Sequence, residues 1–145
     1  MLIDDSFSFI IEESPTNRDT DFVRKKLLTF NELQVGNDNH KILTAFARNK
    51  SGQLIAGLLG GTYWSWLHID YLWVDEESRR NGIGSTLLLA AEKEAVERGC
   101  RHSHVETHDF QAPGFYIRNG YEVFANLEDL PPGHTKIFLK KNLHG

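Results

Sequence analysis

The chain has 145 residues, of which 40% are hydrophobic, 25% charged and 11% aromatic, the make-up of one ordinary globular domain. A disordered tail, a collagen-like repeat and a disulfide-stapled miniprotein are excluded, the last because Cys100 is the single cysteine. Lys+Arg number 16 against 20 Asp+Glu, a net charge of −4 with no basic run, so a nucleic-acid backbone is an unsuited partner and a small cation suits better.

The first residues, Met1-Leu2-Ile3-Asp4-Asp5, lack the basic start and apolar core of a secretory leader, and no apolar stretch approaches the ~18 residues of a membrane span. A cytoplasmic protein with no membrane partner is expected. Residues 7–13 are apolar and β-branched and stop at Ser14-Pro15, which predicts a strand. Residues 18–35 carry Phe22, Val23, Leu27, Leu28, Phe30 and Leu33 mostly at helical spacing. One long helix or two short ones follow, with Asp19 or Thr20 as caps, before Gly36-Asn37-Asp38-Asn39 breaks the pattern.

Residues 40–48 and 53–63 flank the turn sequence Asn49-Lys50-Ser51-Gly52 and read as a hairpin, with 66–74 as the next antiparallel strand. The period then changes. Residues 82–99 place Ile83, Leu87, Leu88, Ala91 and Ala95 on one side of a helix that Gly99 ends. A strand at 103–107, a short helix at 112–119 and strands at 121–125 and 136–140 complete the chain. The loop 126–134 between the last two holds Pro131-Pro132-Gly133. The expected architecture is an α/β (α+β mixed sheet) domain over residues 1–145, with 6–7 mostly antiparallel strands and about four flanking helices.

The most informative segment runs from Leu72-Trp73-Val74 through Asp75-Glu76-Glu77-Ser78 to Arg79-Arg80-Asn81-Gly82-Ile83-Gly84-Ser85. An apolar strand enters a polar loop with two arginines and two glycines, and the loop opens a helix. Glycine lets backbone N–H groups turn toward a ligand, a helix start favours phosphate, and the arginines add charge. The alternative is a tight turn with solvated arginines. A P-loop is excluded because Gly-x-x-x-x-Gly-Lys-Ser/Thr is absent, and a dinucleotide fingerprint because Leu87 stands where its third small residue belongs.

Arg79-Arg80-Asn81-Gly82-Ile83-Gly84 fits Arg/Gln-x-x-Gly-x-Gly/Ala, and with Leu72-Trp73-Val74 before it resembles the acetyl-CoA-binding motif of the GNAT superfamily of N-acetyltransferases. A second block, Asp109-Phe110-Gln111-Ala112-Pro113-Gly114-Phe115-Tyr116-Ile117-Arg118-Asn119-Gly120-Tyr121, is similar to the family's next motif at Ala112, Phe115-Tyr116 and Gly120-Tyr121. The resemblance covers residues 66–140 well and the first third only by element order.

That resemblance implies the GNAT-like fold and acetyl transfer from acetyl-CoA, as co-substrate and without a metal, to a primary amine by direct attack. The CoA pyrophosphate would lie on Arg79 to Ser85, the pantetheine arm along Leu72, Trp73 and Val74, and Ala112, Phe115 and Tyr116 beside it. Val74 N–H would stabilise the oxyanion, and Tyr116 would act as general acid. Asp109 stands where the family often has an Asn against pantetheine, and Pro113-Gly114 is unusual inside a helix start.

The base has three candidates: His68 and Asp70 on the strand before the loop, and Glu106 on the next one. His68, Asp70, Leu72 and Val74 share parity, which predicts one common sheet face. Tyr63-Trp64-Ser65-Trp66 reads as a hairpin tip packed on the core, or alternatively as a wall stacking on a cationic acceptor. His102, His104 and His108 lack a completing ligand set and are read as non-ligands. The acceptor, a small molecule or a peptide amine, stays open, as does a homodimer through the last strands that would complete its pocket. Competing readings are an acyl-CoA-sensing or partner-binding domain without turnover, and a binder of another nucleotide.

Overall fold

The computed structural model describes residues 2–4 and 6–144, and the chain divides into two units, Met1–Asp38 and Asn39–Gly145. In the first, β1 (Leu2–Asp4) pairs antiparallel with β2 (Phe7–Ser8), and α1 (Asn17–Val35) is one unbroken helix. The strand expected over 7–13 is therefore only two residues long. The cap is Thr16 rather than Asp19 or Thr20: its backbone is still extended, and its hydroxyl accepts from Asp19 N–H at 3.2 Å. No residue of α1 is buried.

The second unit is built on a six-stranded sheet of order β3-β4-β5-β6-β8-β7. Its strands are β3 (Lys41–Arg48), β4 (Leu54–Tyr63), β5 (Trp66–Val74), β6 (His102–His108), β7 (Glu122–Glu128) and β8 (Thr135–Asn142). All neighbours are antiparallel except β5 and β6. Helix α2 (Ile83–Glu97) makes the β5-to-β6 crossover, and α3 (Pro113–Arg118) follows β6. Among the described residues there are three α-helices plus a 3₁₀ turn at Glu76–Ser78, fewer than the four expected, because residues 18–35 form one helix rather than two.

The β3–β4 turn is closed by Asn49, whose side-chain oxygen accepts from Ser51 and Gln53 N–H at 3.0 Å each. At the β4–β5 turn both loop residues, Trp64 and Ser65, have positive φ (46° and 65°), the backbone of a tight two-residue hairpin. The core lies between one sheet face and α2. Leu58, Leu67 and Leu139 from the sheet and Leu88 from α2 are fully buried, each contributing about 1.5–3 kcal/mol. Ala91 and Ala95 bring α2 close to the strands.

One irregularity decides the site. Along the β4–β5 ladder, Leu58 faces Leu72 and Leu59 faces Tyr71, but Gly60 faces Ile69. Asp70 is the extra residue of a β-bulge, which reverses the side-chain alternation from there on. Leu72 and Val74 therefore fall on the core face with Leu67 and Ile69, while His68 lies on the opposite face with Trp66. The expectation of one common face for His68, Asp70, Leu72 and Val74 does not hold. Strict period-2 reading assumes an unbroken ladder, and this ladder is broken. Beyond the bulge β5 also loses its other neighbour: the β5–β6 pairing ends at Ile69 and Val105, whereas β6 stays paired to β8 as far as His108.

Candidate active site at the split in the sheet

From Asp70 to Val74, the outward backbone groups of β5 have no strand partner on the β6 side. Backbone N–H and C=O groups require partners, so this strip of edge can pair with an extended ligand. Leu72, Trp73 and Val74 all lie along it.

At the end of the strip the chain turns into α2. Arg79 Nε donates to the Val74 carbonyl at 3.1 Å, fixing the loop to the strand it leaves. Arg80 has φ +68° and Gly82 φ +77°, left-handed conformations that turn successive N–H groups inward. Gly82 is the N-cap of α2 and offers no side-chain acceptor. The first-turn N–H groups of Ile83, Gly84 and Ser85 thus keep the anion affinity of a helix start, beside the exposed Arg79, Arg80 and Asn81.

Gly84 has a packing reason as well. A Cβ there would lie 3.2 Å from the Phe115 ring and 3.5 Å from Val74 Cγ2, so the missing side chain lets α3 close on the start of α2. Asn119 Nδ2 reinforces the contact by donating to Ser85 Oγ at 3.2 Å. Ala112 caps α3 and Pro113 is its first residue, the position where proline is tolerated. Gln111 Oε1 accepts from Thr107 Oγ1 and His108 N–H, both at 3.0 Å, which ties α3 to the end of β6.

Tyr116 is thereby held in the core, 7% exposed, edge-on to Phe115 and Tyr121 at ring separations of 5.1 and 5.8 Å. Burial pushes its phenol up to about 12. Among the described residues its hydroxyl makes no hydrogen bond to protein, so its proton is available to a ligand. Tyr121 differs: its hydroxyl donates to buried Glu92 at 2.9 Å and lies 2.7 Å from Ser103 Oγ. Glu92 also takes Lys141 Nζ at 2.7 Å. Burial, with Glu92 beside it, raises the Tyr121 phenol far beyond its ordinary range. This closed network fastens α2 to β6 and β8 and has no group left to offer.

The base candidates are split by the same geometry. His68 and Asp70 meet across the bulge, Nδ1 to Oδ1 at 2.9 Å, on the face away from the core. Nε2 of His68 lies 3.3 Å from Nε2 of His40, just before β3. Glu106 is engaged elsewhere, in an ion pair with Lys136 at 2.8 Å. His104 stands 6.5 Å from His68, ring to ring. Desolvation, then the His68 charge, hold it below the usual imidazole value despite Glu106 and Asp70.

Asp109, expected against pantetheine, gives both carboxylate oxygens to the approach to β8. His134 Nδ1 donates to one at 2.9 Å and Thr135 N–H to the other at 3.0 Å. His102 pairs with Asn142 and stacks on Trp66 at 4.6 Å, and His108 stacks on Phe110. Among the described residues no group of three His, Cys, Asp or Glu could hold a metal ion, and no helix is long and apolar enough to cross a membrane. Three contributors escaped the sequence reading. Asn119 and Gly61 carry no chemistry of their own, and His40 is 28 residues from the histidine it meets. Only the glycine pair Gly60-Gly61 in an apolar strand signals a close approach.

Known proteins share this arrangement. The model of the acetyltransferase (GNAT) family matches residues 6–121. The blasticidin-S acetyltransferase of Streptomyces morookaense is 48% identical over 104 residues, 71% of this chain and 76% of that protein. An acetyltransferase of Agrobacterium fabrum is 32% identical over 82% of this chain and 87% of that one. The crystal structure of an acetyltransferase from Bacillus cereus superposes with a TM-score of 0.84 at 33% identity, covering 92% of this chain and 98% of that chain. Sequence and fold are thus matched along most of the chain, and the chain belongs to the acetyltransferase (GNAT) family, acetyl-CoA-dependent enzymes that transfer an acetyl group.

Proposed function

We propose that residues 1–145 act as one cytoplasmic N-acetyltransferase domain that transfers the acetyl group of acetyl-CoA to a primary amine by direct attack. The observation that carries this reading is the split after Ile69 and Val105. An unpartnered strand edge there leads into an uncapped helix start, with a protonated tyrosine on the helix packed against it. In this reading the pyrophosphate rests on the first-turn N–H groups of α2, and pantetheine pairs with the β5 edge at Leu72 and Val74. Val74 N–H donates to the thioester oxygen, where negative charge builds during attack. The amine lone pair forms the C–N bond as the C–S bond breaks. The sulfur takes its proton from Tyr116, which a phenol raised to about 12 still carries at neutral pH, and the proton shed by the newly acylated nitrogen restores the phenol.

His68 serves as the base, with Asp70 holding its Nδ1–H, since the Glu106 carboxylate is already paired with Lys136. The acceptor is a small cationic amine, supported by the 48% identity to an enzyme named for blasticidin S and by the carboxylate of Asp70 at the bulge. Thiol release from acetyl-CoA over an amine panel that includes blasticidin S, polyamines and N-terminal peptides tests it. Turnover confined to the small amines is expected; turnover confined to peptides, or none with any amine despite CoA binding, overturns it.

A further inference from the structure

The histidine pair on the open face of the sheet goes beyond a single base. His68 is bracketed: Asp70 Oδ1 lies 2.9 Å from its Nδ1 and His40 Nε2 lies 3.3 Å from its Nε2. A carboxylate can only accept, so the Asp70 contact puts the neutral-state proton of His68 on Nδ1 and leaves the lone pair on Nε2. That lone pair faces a second imidazole nitrogen. The sequence reserves room for the meeting. Gly61 pairs with His68 across the β4–β5 ladder, and a Cβ at 61 would lie 2.7 Å from His68 Nε2 and 3.0 Å from His40 Nε2. Gly60 is needed one step away, because its Cβ would strike the His68 carbonyl. The rings are near parallel, 5.4 Å apart, with Tyr63 edge-on to His68 at 5.5 Å. His68 is largely covered, its side chain 17% exposed, whereas His40 is exposed to solvent.

We infer that His40 is a positioning residue for acetyl transfer, completing a relay Asp70–His68–His40 that carries the acceptor's proton from the cleft to solvent. The inference rests on the reading of His68 as the base. The proton leaves the ammonium nitrogen for the lone pair on Nε2 of His68 and is passed from there to Nε2 of His40. It leaves that ring to water, and the amine keeps the electron pair that forms the C–N bond. Asp70 offsets the positive charge while the proton is on the pair. Titratable groups that face the pair include Tyr63 from β4 and His104 from β6; Glu106, which acts on His104, is paired with Lys136 from β8.

The experiment compares His68→Gln, His40→Gln and Gly61→Ala with the wild type, recording kcat and KM for acetyl-CoA and the pH profile of kcat/KM with a turned-over amine. His40→Gln keeps a hydrogen-bond donor near His68 but cannot titrate. It is expected to lower kcat about tenfold and shift the acid limb of the profile while leaving the acetyl-CoA KM unchanged. Gly61→Ala, which parts the rings without removing either, is expected to do the same. Imidazole added to His40→Ala should restore part of the rate. Wild-type kcat and an unmoved acid limb in His40→Gln overturn the relay, whatever Gly61→Ala shows. If His68→Gln is fully active, the base assignment itself has failed; if it is impaired while His40→Gln is not, only the relay falls.

Discussion

The two sides of the cleft are built from different materials. The proposed CoA side, from Val74 through Ser85 to α3, relies on backbone: an unpaired strand edge, left-handed residues at Arg80 and Gly82, and a helix start without a side-chain cap. The proposed proton-handling side relies on side chains that converge from separate strands, with His68 and Asp70 across a bulge and His40 from the sheet's far edge. A backbone site tolerates most side-chain changes but not a shift of its frame. A side-chain site is lost atom by atom. The two halves should therefore respond to mutation in opposite ways.

The largest expected effect is at Tyr116, the side chain we propose as general acid. Tyr116→Phe keeps the buried ring and its edge-on contacts and removes only the proton, so kcat should fall about 10²-fold or more. Affinity for CoA, read by thermal shift, should be unchanged. The same phenol makes a pH prediction. Its folded-state value is raised from 10 to about 12, so its contribution to stability is fully present below pH 10 and is lost as pH rises through 12. Melting temperature measured from pH 9 upward should drop more steeply in the wild type than in Tyr116→Phe.

Next comes Asp70→Asn. The amide leaves the bulge in place but no longer offsets charge on His68, so kcat should fall about tenfold, with the acid limb of the rate profile moved and CoA affinity retained. A smaller response is expected from Arg80→Ala, whose guanidinium is exposed beside the N–H groups we propose to bind the phosphate. A rise of about threefold in the acetyl-CoA KM fits a surface charge. A hundredfold rise would mean that the arginine, not the backbone, holds the cofactor, and the contrast between the two sides would collapse.

The same contrast explains what could be read from the sequence. The CoA side is contiguous, and its glycines are demanded by geometry: Gly82 by its φ and Gly84 by the Phe115 ring. Residue order alone exposes such a site, and the mixed sheet and the antiparallel run of β3, β4 and β5 follow from the same periodicities, whereas the placing of β8 between β6 and β7 does not. The proton side is not contiguous. Its key event is the insertion of Asp70 into the β4–β5 ladder, which leaves no mark in the alternation Trp66, His68, Asp70, Leu72, Val74. Parity therefore put His68 on the wrong face. The Tyr121–Glu92–Lys141 network was equally hidden, since its members lie on three separate stretches of the chain.

Asp109 gives the smallest effect, and the test that separates motif position from geometry. It occupies a motif position that elsewhere faces pantetheine, yet both its oxygens are held by His134 and Thr135. Desolvation pushes its carboxyl up, but the hydrogen bonds from His134 and Thr135 outweigh this and hold it below its ordinary value. The charged form is thus the one this fold favours: its contribution is present above the ordinary aspartate value of 3.8 and is lost as pH falls through the lowered one. Asp109→Asn keeps an acceptor for one partner and should change the acetyl-CoA KM by less than about twofold, as expected of an exposed pair. Any cost should show instead as a lower melting temperature near neutral pH that narrows toward pH 3, where the wild type loses the charge as well. A large rise in KM at constant melting temperature would return Asp109 to the cofactor and make the backbone strip of β5 insufficient by itself.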